Sequence, residues 1–257
     1  MSRPSNPHDT PLRTDPPAPR WPRFFHANLP MPQLLEQRLA LEEDQSRHAR
    51  KVLRLQPGAH LELFDGKGGL APAVLEGYQA SLAVCRATDL VVYARARPQI
   101  TIAAALPKAS RADDMIDQLN QLGADRLIPL LTSRSVVDPR PTKLDRLARN
   151  SIESAKQCGR LFLMEIHEPM TFQAALAQQA DLRLIAEPRG EPMAELRQGL
   201  AELQHVLVLI GPEGGWTGEE CDAAVDLGFV PWRIAPNVLR VETAAPTATA
   251  ILRYLTL

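Results

Sequence analysis

Cysteine is scarce and scattered: the 257-residue chain has three, Cys85, Cys158 and Cys221, in no CxxC or Cys/His spacing. That excludes a disulfide framework and a zinc site. Aromatic residues are few, at 5%. No apolar run approaches the roughly 20 residues that span a bilayer; the longest, Ile100–Leu106 and Val206–Ile210, are strand-sized. Residues 1–20 have no apolar core of their own, so no secretory signal is expected and the cytoplasm is the expected location. A dominant charge is missing too: 29 Lys and Arg against 30 Asp and Glu leave a net charge of −1. A polyanion must therefore be met by a local patch, since the field of the whole molecule is weak. His26, His48, His60, His167 and His205 form no i, i+4 pair, and no metal is expected. What remains is 45% hydrophobic and 23% charged, a composition that builds one large core or two modest ones.

Seven prolines between Pro4 and Pro22 predict a disordered tail over residues 1–20, because no packed helix or strand tolerates that density. From Trp21 to about residue 96 the texture is that of a small β domain. Predicted strands at His60–Phe64, Leu70–Leu75, Ser81–Arg86 and Leu90–Arg95 are separated by turn residues such as Asp65-Gly66-Lys67-Gly68-Gly69. A helix is predicted over Leu41–Leu55, carrying Arg47, His48, Arg50, Lys51 and Arg54. This most basic stretch reads either as a solvated face paired with Glu42, Glu43 and Asp44, or as a contact for nucleic-acid phosphates.

Residues 97–257 change period. Strands at Ile100–Leu106, Arg126–Leu131, Leu182–Ala186, His205–Ile210 and Phe229–Ile234 alternate with helices. The first helix opens at Ser110 and stops at Gly123, the second opens at Thr142 and stops near Gly159, and a third has Met193, Leu196, Leu200 and Leu203 on its face. The last two are Thr217–Leu227 and Thr243–Leu255, with Thr217 and Thr243 as caps. Such alternation implies an α/β fold with a parallel sheet.

Two strand-to-helix junctions could carry chemistry. Leu209-Ile210-Gly211-Pro212-Glu213-Gly214-Gly215 follows an apolar strand, at the carboxyl end where parallel sheets place ligands. It has neither the GxxxxGK[ST] spacing nor GxGxxG, and Glu213 would repel a phosphate. It reads as a wall of a small-molecule pocket or as a plain turn. Ile234-Ala235-Pro236-Asn237-Val238-Leu239-Arg240-Val241-Glu242-Thr243-Ala244 reads as a second wall reaching the same cleft, or as an Arg240–Glu242 salt bridge beside an ordinary cap.

On these residues the chain resembles the SPOUT-class methyltransferases that modify N3 of a uridine in 16S ribosomal RNA, over nearly all of Trp21–Leu257. Matching strings are Arg23-Phe24-Phe25, His48 to Gly58, Phe64-Asp65-Gly66, Lys108 with Arg111, Leu122-Gly123, Arg134-Ser135 and Gln157 to Arg160. The most specific are Ile210 to Gly215 and Leu239 to Ala244. The resemblance implies a PUA-like RNA-binding β-barrel over 21–96 and a SPOUT-type α/β domain over 97–257 that ends in a trefoil knot. It also implies a homodimer acting on 16S ribosomal RNA or the small ribosomal subunit, with S-adenosylmethionine as cofactor. Cofactor contacts are then expected from Leu209, Ile210, Gly211, Pro212, Glu213, Gly214, Gly215, Ile234, Ala235, Val238, Leu239 and Arg240. Arg240 and Glu242 are the expected catalytic residues, and Arg23, Arg47, Lys51, Arg54, Lys108, Arg111 and Arg134 the expected RNA contacts.

Departures from the family pattern fall at Asp117 to Gln121, where a lysine and a glutamate are missing, at Lys156 in place of a glutamate, and at Ala235 in place of a glycine. They leave three other readings open: a methyltransferase for a different RNA nucleotide, a non-catalytic RNA-binding factor of the same fold, and an α/β enzyme with another nucleotide cofactor.

Overall fold

The computed structural model describes residues 18–29, 38–108, 110–137, 139, 141–193 and 199–256. The predicted tail lies outside these residues up to position 17, and so does the middle of the predicted third helix, 194–198. The chain divides into two compact units, residues 1–95 and 96–257.

Among the described residues the first unit holds six strands in one sheet: β1 (Arg23–Phe25), β2 (Arg38–Ala40), β3 (His60–Phe64), β4 (Gly69–Gln79), β5 (Leu82–Ala87) and β6 (Val91–Val92). Their order is β1-β3-β4-β5-β2, with β6 also on β4. Only β1 and β3 run parallel. Phe24, Leu61, Leu63, Leu75 and Cys85 are buried in its core. The β3–β4 turn works because the Asp65 Oδ1 carboxylate accepts from the backbone N–H of Lys67 (2.7 Å) and Gly69 (2.9 Å). Gly66 and Gly68 meanwhile take positive φ. The predicted strand over Leu90–Arg95 shrinks to two residues. The predicted helix over Leu41–Leu55 is α1 (Glu43–Arg47) followed by a π-helical turn, His48–Val52.

The second unit is a parallel sheet in the order β10-β8-β7-β12-β11-β13, with β9 also on β8. Its elements in chain order are β7 (Gln99–Ala104), α2 (Ser110–Leu122), β8 (Arg126–Leu131), α3 (Pro141–Cys158), β9 (Glu165–Ile166), β10 (Met170–Thr171) and α4 (Phe172–Leu176). Then come β11 (Leu182–Glu191), β12 (His205–Ile210), α5 (Gly218–Asp226), β13 (Val230–Trp232) and α6 (Val241–Tyr254). Every pairing is parallel. Of the predicted third helix, only a 3₁₀ turn, Leu200–Glu202, is described.

Both faces of this sheet are covered, which is why its strands are apolar at nearly every position. Along β12, Val206, Val208 and Ile210 pack with Met115, Leu119, Val241 and Leu252 of α2 and α6. Leu207 and Leu209 face the other way, with Phe172, Trp216, Ala224 and Phe229. Helix α6 is latched at its far end. Arg253 donates to the carbonyls of Pro98 (2.7 Å) and Gly123 (2.8 Å) and pairs with buried Asp125, which also holds Arg160.

Candidate active site

The carboxyl ends of β11, β12 and β13 open on one cavity of about 280 Å³. The glycine-rich segment supplies Ile210, Gly211, Pro212, Glu213 and Gly215; the later loop supplies Ile234, Ala235, Asn237, Val238 and Leu239. The two junctions are therefore walls of a single crevice, at the place in an open parallel sheet where ligands bind.

Local rules fix the first wall. Gly215 takes φ 67°, closing a turn in which its N–H donates to the Pro212 carbonyl at 2.8 Å. A methyl at Gly211 would lie 2.9 Å from Cε2 of Trp216. The indole Nε1 in turn donates to the Ala186 carbonyl at 2.9 Å. Thr217 caps α5 as predicted, in a capping box with Glu220. Glu220 also accepts from the Ser133 backbone N–H at 3.0 Å. Burial works against its carboxylate, but the Thr217 and Ser133 donors outweigh it and hold the group below the usual range. With that turn secured, Arg134 Nη1 donates to the carbonyls of Gly214 (2.8 Å) and Trp216 (3.3 Å).

The second wall differs from expectation at its end. Helix α6 starts at Val241 with Arg240 as its N-cap, and Thr243 lies inside the first turn, its N–H donating to the Arg240 carbonyl at 2.9 Å. Thr243 is not the cap, because the cap position falls three residues earlier than its side chain suggests. Nor do Arg240 and Glu242 pair. Arg240 is exposed and no ion pair of its side chain is found among the described residues. Glu242 Oε1 accepts instead from Arg111 Nη1 at 3.1 Å, while Glu242 Oε2 is buried with no partner among the described residues. Arg111 Nη2 also stands 4.0 Å from Glu213 Oε1, so one guanidinium spans the carboxylates of both walls.

Other expected site residues fall elsewhere. Leu209 faces the α5 layer, because alternation along β12 turns it away from the cavity. Gly214 packs on Arg134: a methyl on that glycine would lie 3.1 Å from the arginine Cβ. Arg23, expected to meet RNA, has a side chain that is 1% exposed and pairs with Glu62, its register partner on β3, at 2.7 Å. Arg47 pairs with Asp44, whereas Lys51, Arg54 and Lys108 are exposed. Sequence reasoning misses Glu187, Pro188, Arg189, Trp216 and Trp232 as cavity residues. A signal for the first three is present, since they directly follow a predicted parallel strand. No group of metal-ligating side chains occurs among the described residues, and no helix among them is long and apolar enough to cross a membrane.

Residues 95–253 match the RNA methyltransferase domain family, and residues 41–83 the RNA methyltransferase PUA domain. The chain is 34% identical over 229 residues to ribosomal RNA small subunit methyltransferase E of Synechocystis, covering 87% of this chain and 75% of that protein. It is 31% identical to the protein of the same name from Mycobacterium tuberculosis, covering 84% and 86%. Among solved structures, a Legionella pneumophila methyltransferase in complex with the cofactor SAM superposes with a TM-score of 0.83 at 28% identity, covering 91% of this chain and 98% of that one. Ribosomal RNA small subunit methyltransferase E of Neisseria gonorrhoeae shares the fold at a TM-score of 0.83 and 24% identity, covering 92% and 98%.

Proposed function

Since the chain belongs to the RNA methyltransferase family, we propose that it methylates N3 of a uridine in 16S ribosomal RNA, using S-adenosylmethionine. The observation that carries this reading is the convergence of residues 210–215 and 234–239 on one cavity. The residues suit the cofactor. Ile210, Trp232, Ile234 and Leu239 give apolar walls, Gly211 lets the backbone come close, and the cation in the lining among the described residues, Arg189, is paired with Glu187. When bound there, S-adenosylmethionine supplies a methyl group made electrophilic by its sulfonium.

The acceptor N3 carries a proton and becomes a good nucleophile only when that proton leaves, with charge spreading onto O2 and O4. Arg240, exposed and free of ion pairs among the described residues, is the proposed cation for those oxygens. Glu242 is the proposed proton acceptor, through Oε2, with Oε1 held by Arg111. Holding the base and the cation on one helix start makes the reaction largely one of positioning, on a uracil drawn out of its stack. Lys51, Arg54, Arg47 and Lys108 are the proposed phosphate contacts. The same reading carries a homodimer and a knotted C-terminal segment.

Mapping methylated nucleotides in 16S ribosomal RNA with and without the protein tests the assignment. The expected result is one N3-methyluridine that disappears without it. In vitro, Arg240→Ala should lower the methylation rate by about 100-fold or more while S-adenosylhomocysteine affinity stays within about twofold. A native rate in that variant ends the role of Arg240, and an unchanged methylation map ends the reading.

A further inference from the structure

The pairing of β11 with β13 is broken in a way that aims side chains into the cavity. Ala186 and Glu191 both register with Trp232, so residues 187–190 are looped out of the ladder. A bulge of this kind re-aims the side chains it carries. Gly190 makes it possible: a methyl there would lie 2.6 Å from the carbonyl carbon of Pro231. The looped-out Glu187, Pro188 and Arg189 all line the cavity.

Glu187 is the more sheltered of the two charges on this wall, its side chain 13% exposed against 81% for Arg189. Its two oxygens are unequally served. Oε1 accepts from the Arg189 backbone N–H (3.1 Å) and from Arg189 Nε (2.9 Å). Among the described residues Oε2 has only the Cys221 thiol, at 3.5 Å, a weak donor. A carboxylate oxygen with lone pairs to spare is thus presented on a wall it shares with Ala186, Pro188 and its own partner Arg189.

The character of its partner follows from charge. Arg189 already neutralises Glu187, so what remains is acceptor capacity without net charge, which suits neutral hydroxyls better than a second cation. The other carboxylate of the cavity, Glu213, is less committed, with Arg111 4.0 Å away, and is the better placed for a cationic group. Vicinal hydroxyls on an acid at the carboxyl end of a parallel strand are the usual way such sheets read a ribose.

We propose that Glu187 is a specificity-determining residue that accepts the ribose hydroxyls of the adenosyl donor and selects nucleosides with both hydroxyls free. The assignment rests on the reading of the cavity as an adenosyl site. It gives the bulge a role: the segment looped out between Ala186 and Glu191 carries Glu187 to the cavity wall.

The test is a set of binding titrations, which need no turnover. Wild-type protein is titrated with S-adenosylhomocysteine, 5′-methylthioadenosine and the 2′-deoxy and 3′-deoxy forms of the latter; 5′-methylthioadenosine has no ammonium, carboxylate or sulfonium. Wild type should prefer the ribo compound over each deoxy form by about tenfold, as expected when a sheltered acceptor loses its donor. Glu187→Gln and Glu187→Ala should reduce that preference to about twofold or less, with unliganded thermal midpoints of the Gln variant close to wild type as the check on folding. An undiminished preference in the folded Gln variant overturns the proposal. So does a loss confined to S-adenosylhomocysteine, which would assign Glu187 to the amino group. If wild type binds none of these compounds, the adenosyl reading of the cavity falls, and this assignment with it.

Discussion

Gly211 faces the indole of Trp216 so closely that no side chain fits between them. Gly211→Ala should cost about 1–3 kcal/mol of stability by overpacking. Because Trp216 and Gly211 both line the cavity, it should also weaken S-adenosylhomocysteine binding by about tenfold or more. Denaturant unfolding and calorimetric titration read the two effects; a variant as stable and as tight-binding as wild type would show that the ring moves aside freely. At this scale the sequence is informative about backbone and poor about charge. The glycines and the proline of 211–215 announce a tight turn by type alone. The fate of an arginine is set by carboxylates far along the chain: Arg111 finds Glu242 across 131 residues and Arg23 finds Glu62 across 39. Nothing local distinguishes these two from Lys51 and Arg54, which stay in solvent.

Helix α5 joins the glycine loop to the rest of the domain through Glu220, which closes the capping box and holds the Ser133 N–H. Glu220→Ala should destabilise the fold by about 1–2 kcal/mol, and Glu220→Gln by less, because its amide oxygen can keep one of the two acceptor roles. Since the folded carboxyl titrates below its ordinary 4.5, the stability it contributes is fully present above that pH and is lost as pH falls through the lower folded value. The acid limb of stability below about pH 4.5 should therefore be flatter in the Gln variant. His205 adds a separate window. Burial, then Arg126, depresses its pKa below 6.5, so its contribution is lost as pH falls from about 6.5 toward the folded value, and His205→Gln should remove that slope. Equal pH profiles for wild type and both variants would refute these linkages.

Elements with strong local signals are legible in the sequence. His60–Phe64, Arg126–Leu131 and His205–Ile210 form strands with the predicted limits, because continuous apolar runs end in turn residues. The extension of β11 from Ala186 to Glu191 is not legible. Glu-Pro-Arg-Gly has no strand signature, and the strand resumes β13 pairing at Glu191, opposite Trp232. The start of α6 escapes local reading for a similar reason: Val241 and Glu242 become helical in the tertiary setting, where Arg111 holds Glu242, ahead of the threonine that would serve as a cap in isolation.

For the molecule as a whole, a net charge of −1 means that attraction to RNA must come from few side chains. Lys51 and Arg54, exposed on the π-helical turn and just past it, should carry much of it in the first unit. Reversing both to Glu should weaken binding of small ribosomal subunits by about tenfold or more at low salt. It should also reduce the slope of log affinity against log salt by about 1.4–1.8 if each meets one phosphate. S-adenosylhomocysteine affinity should not change. An unaltered salt slope would return the patch to ordinary solvated surface.

The far anchor of α6 has a consequence for the order of events in synthesis. Val241 and Ala244 complete the cavity at the start of that helix, and Arg253, at its end, ties it to Pro98 and Gly123, on segments translated more than a hundred residues earlier. Completion of the crevice thus waits on α6, and no nascent chain that lacks Val241 and Ala244 has the whole of its lining.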